Sequence, residues 1–121
     1  MNKDEKYVKH IYNNLLCMVK YCNDWKFVQN ECLNNIDKND YLDLEIIRLS
    51  IICLGHIARI HKCIDREYVF PLLNEKIKDK ELFGFIDDAL GDIEQFTGKL
   101  TSEEIEKYPN LYKRKLNIDK I

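Results

Sequence analysis

The chain has 121 residues, 45% hydrophobic and 33% charged, with four glycines, two prolines and a formal net charge of −2. That length suits one domain with a real apolar core, and the composition excludes a disordered chain. The slight acidity excludes a general polyanion binder, and no run approaches the ~20 apolar residues of a membrane span, so a cytoplasmic protein is expected.

Charge is unevenly distributed. Residues 1–78 carry twelve basic and eleven acidic side chains, residues 79–108 three and nine, and residues 109–121 four and one. Acid is therefore concentrated in one late element. The five cysteines, Cys17, Cys22, Cys32, Cys53 and Cys63, form no Cys-x-x-Cys pair and read as small buried hydrophobes rather than redox or nucleophilic groups.

In chain order, Val8, Ile11, Tyr12, Leu15, Leu16 and Val19 recur at helical spacing and predict an amphipathic helix from Asp4 to about Lys20. Asp24 can cap a second helix from Trp25 to Ile36, whose apolar stripe is Trp25, Val28, Cys32 and Ile36, widened by Phe27 and Leu33. Asp37-Lys38-Asn39-Asp40 is a polar break, and Asp43 can cap the third helix.

The third helix, Leu44 to about Lys62, is the expected hub. Glu45, Arg48, Gly55, His56 and Arg59 form one narrow polar stripe on an otherwise apolar helix, which should be the most buried in the molecule. Gly55 costs about 1 kcal/mol relative to alanine inside a helix. Close approach of a neighbouring helix explains it best. Asp65 can cap a fourth helix to Lys78 that Pro71 bends without breaking. Asp79 caps a fifth, Glu81 to Phe96, with Leu82, Ile86, Ala89, Leu90, Ile93 and Phe96 inward. Thr97-Gly98 stops it, Thr101 and Glu104 form a capping box for a short helix to Lys107, and the segment after Pro109 either packs along the surface or frays.

Shifted by 41 residues, the chain matches itself. Val8 falls on Leu49, Ile11 on Ile52, Leu16 on Ile57, Val19 on Ile60, Cys22 on Cys63, Asp24 on Asp65, Phe27-Val28 on Tyr68-Val69 and Ile36 on Ile77. The period lies in the ~40–47-residue range of HEAT and armadillo arrays. The expected architecture is therefore all-α, a HEAT/armadillo-like stack of hairpins: 1–40, 41–78, a truncated unit 79–108 and a tail 109–121. An irregular five-helix bundle is the alternative.

Chemistry is sparse. Cys53 and His56 lie one turn apart, but His61 is about 140° round the helix from His56, so no four ligands converge and no metal or cofactor is expected. Neither Ser50 nor Ser102 has the context of a nucleophile, so no enzyme is expected. Two sets remain. His56 and Arg59 are either a satisfied polar seam or a recognition patch. Asp87, Asp88, Asp92 and Glu94 are either a solvated face or a docking surface for a basic partner. Asp88 and Asp92 in particular are like-charge neighbours one turn apart with no lysine between them.

The run Cys53-Leu54-Gly55-His56-Ile57-Ala58-Arg59-Ile60-His61, then Ile64-Asp65 and Asp87-Asp88-Ala89-Leu90-Gly91-Asp92-Ile93, resembles a group of small bacterial HEAT-like helical proteins. That group includes immunity proteins encoded beside polymorphic or contact-dependent toxins. The resemblance spans about residues 42–96. It implies a cytoplasmic monomer that binds one cognate toxin domain, often a nuclease, one-to-one and blocks it by occlusion, with no direct contact to nucleic acid or membrane. A helical-repeat adaptor for an endogenous protein or peptide is the other function expected of such a stack.

Overall fold

The computed structural model describes residues 3–37 and 44–117, without the side chains of 3–8, 11, 12 and 115–117. Among the described residues there are seven helices and no strand: α1 (Lys3–Tyr21), α2 (Trp25–Asp37), α3 (Leu44–His61), α4 (Arg66–Lys76), α5 (Lys80–Thr97), α6 (Ser102–Lys107) and α7 (Pro109–Asn117). The fold is all-α, as the periodicity requires. The Lys38-Asn39-Asp40 break and the Asp43 cap lie outside the described residues.

Local chemistry sets the helix ends. Asp24 accepts the Phe27 N–H at 3.1 Å, Asp79 accepts the Glu81 N–H at 2.9 Å, and Thr101 and Glu104 bond reciprocally at 3.0 and 3.1 Å. Each partners a backbone donor that a helix start otherwise leaves open. Asp65 corrects the expectation. It stands at the N-cap of α4 but makes no side-chain cap, because its carboxylate accepts from Gln29 Nε2 at 3.0 Å while its N–H donates to Gln29 Oε1 at 2.7 Å. Gln29 is fully buried on the apolar face of α2, and this two-way clasp is how its amide is satisfied there. The helix α4 runs through Pro71 without a break and ends at Lys76, two residues short of the expected Lys78.

The hub is where the pattern puts it. Ile46, Leu49, Leu54 and Ile57 are all buried, and α3 packs most extensively on α5, then on α2 and α1. Cross-helix contacts give the directions. Asn35 of α2 donates to Ser50 of α3 at 3.1 Å, whereas Arg48 meets Glu81, Gly55 meets Ala89 and Asp92, and Lys62 meets Phe96, in register along a parallel α5. A Cβ built on Gly55 would lie 3.3 Å from the Ala89 Cα and 3.0 Å from Asp92 Oδ2. Close helix approach is thus the reason for the glycine. Extensive packing therefore joins α3 to α2 rather than to α4, its successor in the chain, and α4 packs instead on α7, α2 and α5.

Three of the residue pairs 41 apart share an environment, while others do not: Val19 is buried and Ile60 exposed, and Asp24 caps its helix while Asp65 does not. Val28 and Val69 are buried, as are Ile36 and Ile77, while Phe27 and Tyr68 are both exposed. Three expectations need correcting. Phe27 leaves the core stripe of α2 for solvent, Ile60 is exposed at the end of α3, and Cys17 and Cys63 lie on the surface, leaving only Cys32 and Cys53 as fully buried thiols. The segment after Pro109 packs, and it does so as a helix. Proline fits its first turn, where no N–H partner is needed, and Leu111 is fully buried. One contiguous apolar core joins α1 to α5 and α7.

Candidate functional site

The four acidic residues of α5 separate into two faces. Asp87 and Glu94, seven residues apart, share one side of the helix and both accept from Arg114 of α7, whose Nη1 donates to Asp87 Oδ1 at 3.0 Å and whose Nη2 donates to Glu94 Oε1. Arg114 is 6% exposed, and its Nε has no hydrogen-bond partner among the described residues. The basic tail therefore supplies the counter-charge to the acidic helix from within the chain. Asp88 remains exposed. Asp92, half-buried, sits over Gly55 and faces His56.

On α3, His56 and Arg59 meet each other. Arg59 Nη2 lies 2.9 Å from His56 Nδ1, and because guanidinium only donates, Nδ1 accepts and the ring proton sits on Nε2. Burial, with the nearby Arg59 charge, pushes the His56 pKa down against the opposing pull of Asp92, so the imidazole is neutral at pH 7. Arg48, higher on the same stripe, donates to the Glu81 carboxylate at 2.7 Å and to the Glu81 carbonyl at 3.3 Å, its guanidinium lying 5.1 Å from the centre of the Phe85 ring. Much of the polar stripe is thus bonded to itself or to α5.

A different surface is left without such partners. Clasped at their N-terminal ends by Gln29 and Asp65, α2 and α4 leave an open groove of about 350 Å³ lined by Leu33, Asn34, Asp37, Tyr68, Pro71, Leu72 and Glu75. Its lining holds two carboxylates and no cation. Neither Asp37 nor Glu75 forms an ion pair among the described residues. Tyr68 is the aromatic residue of the lining and is 67% exposed; Phe27 (49% exposed) lies seven residues before Asn34 on the same face of α2. Aromatic side chains so exposed are characteristic of protein interfaces. The signal was present in the repeat, where Phe27 aligns with Tyr68, but a matched aromatic pair reads as core until its exposure is known.

Among the described residues no three His, Cys, Asp or Glu side chains converge as metal ligands, and no helix is long and apolar enough to cross a membrane. No known protein family, characterised protein or solved structure matches the chain.

Proposed function

We propose that the chain is an immunity-type protein, a HEAT-like stack of hairpins that binds the toxic domain of a cognate bacterial toxin one-to-one in the cytoplasm and neutralises it by occlusion. The observation that carries this reading is the α2–α4 groove, where Tyr68 and Pro71 stand exposed beside two carboxylates that form no ion pair among the described residues, in a lining without a cation. Such a lining suits a protein segment with basic and apolar side chains. A nuclease presents such segments because it must hold phosphates. The alternation of long and short helices, the parallel run of α3 and α5 and the matched burial of Val28 with Val69 and of Ile36 with Ile77 support the stack. The resemblance around Cys53–His61 and Asp87–Ile93 supports the toxin as partner.

The roles of the sequence-derived acids change within this proposal. Asp88 and Asp92, with His56 and Arg59, stay on the outer edge of the α3–α5 seam and act as a peripheral steering field. Asp87 and Glu94 hold Arg114 and act through stability. Co-expression with the variable C-terminal domain of a large secreted protein encoded immediately upstream tests the proposal. Rescue of growth and a 1:1 complex are expected. Tyr68→Ala should weaken that complex by about 30-fold, the cost of an aromatic hot spot, with an unchanged melting temperature. Absence of rescue overturns the immunity reading, and binding of a basic endogenous peptide in the same groove then identifies an adaptor.

A further inference from the structure

Several cations of this molecule are answered by anions. Arg48 pairs with Glu81, Arg66 with Glu104, Arg114 with Asp87 and Glu94, and Lys107 with Glu103. Three lysines without such a partner gather at one place. Lys78 follows α4, Lys80 opens α5 and Lys113 lies on α7, and together with Ile77, Phe83 and Asn110 they line a pocket of about 270 Å³. None of the three forms an ion pair among the described residues.

The carboxylates of that turn are committed elsewhere. Asp79, between Lys78 and Lys80 in the chain, accepts the Glu81 N–H, and the Glu81 carboxylate is held by Arg48. Lys78, Lys80 and Lys113 thus converge on one concavity whose lining holds no carboxylate, with Asp79 the one acid adjacent in the chain, so the local charge favours an entering anion. The walls are not uniformly polar. Ile77 is buried and the Phe83 ring half-buried, while Asn110 is fixed by two hydrogen bonds to Asn74 at 2.9 and 3.1 Å.

We propose that this pocket binds a small phosphate-bearing molecule with a flat apolar portion, the phosphate among Lys78, Lys80 and Lys113 and the flat portion against Phe83 and Ile77. The volume lies just below the ~300 Å³ at which small-molecule pockets begin, which limits the ligand to about the size of a mononucleotide. This site lies at the opposite end of α4 from Tyr68 and does not depend on the docking groove.

The test is calorimetric and NMR titration of the full chain at low salt with AMP, pyrophosphate and adenosine. AMP is expected to bind saturably at one site in the millimolar range or tighter, weakening as salt is added, and adenosine, which lacks the phosphate, not to bind. Lys80→Ala combined with Lys113→Ala should weaken AMP by about tenfold with an unchanged unfolding curve, the loss of two charged contacts. Phe83→Leu should weaken AMP and leave pyrophosphate unaffected. Competition by a 5′-phosphorylated oligonucleotide would place a strand end in the site, and its failure to compete would place a free nucleotide there. No saturable AMP binding, equal affinity for adenosine, or undiminished binding by the double lysine variant each overturns the proposal.

Discussion

Two seams run between neighbouring helices of this molecule, and they have opposite characters. Between α3 and α5 a glycine brings the backbones together, and the ionic groups along the seam bond to one another or to α7. Between α2 and α4 Gln29 and Asp65 bond near the N-terminal ends, and a groove stays open whose acids form no ion pair among the described residues. The more heavily charged helix is the more fully neutralised one. Charge counted along a chain therefore says little about charge available to a partner, because a counter-ion twenty or more residues away can consume it.

Arg114 provides the strongest way to break the closed side. Arg114→Ala leaves Asp87 and Glu94 as facing like charges and removes the guanidinium that bridges α7 to α5. A loss of about 3 kcal/mol in urea unfolding is expected, with amide exchange in α7 accelerated first. An unchanged midpoint would show that the pair contributes nothing net. Gly55→Ala is a finer probe of the same seam. Alanine favours the isolated helix by about 1 kcal/mol, but its Cβ would meet the Ala89 backbone, which cannot swing aside as the Asp92 side chain can. Net destabilisation of about 1–2 kcal/mol is expected, with no weakening at the α2–α4 groove.

Acid is the mildest perturbation. For Glu104 the largest influence, burial, raises the pKa, but hydrogen bonds and charge from Arg66, with bonds from Thr101, outweigh it and hold the carboxyl below its usual value. A carboxyl depressed on folding stabilises above its unfolded pKa, and that contribution disappears as the pH falls through the native value, so stability should decline below about pH 4. Glu104→Gln should lower stability at pH 7 and flatten that acid limb. An acid limb identical in the variant would remove Glu104 from it.

Sequence periodicity specified much of the fold. The hub, the caps at Asp24, Asp79 and Thr101, and the close approach at Gly55 all follow from local pattern, because apolar spacing and capping act within a few residues. What was illegible depends on distant partners. The buried amide of Gln29 is satisfied 36 residues away at Asp65, and the guanidinium that answers Asp87 and Glu94 comes from a tail with few apolar anchors of its own. The groove was hidden for a related reason. Phe27 and Tyr68 fit a core pattern as well as a surface one, and only the packing of the other helices decides which.

The order of synthesis gives Arg114 a further significance. Glu94 is translated twenty residues before it, and Asp87 twenty-seven. A nascent chain that has emerged only through α6 carries both acids without the guanidinium that meets them, so α5 reaches its final electrostatic state only after α7 has emerged. The charges of α5 are in that sense completed late, by a helix made after it.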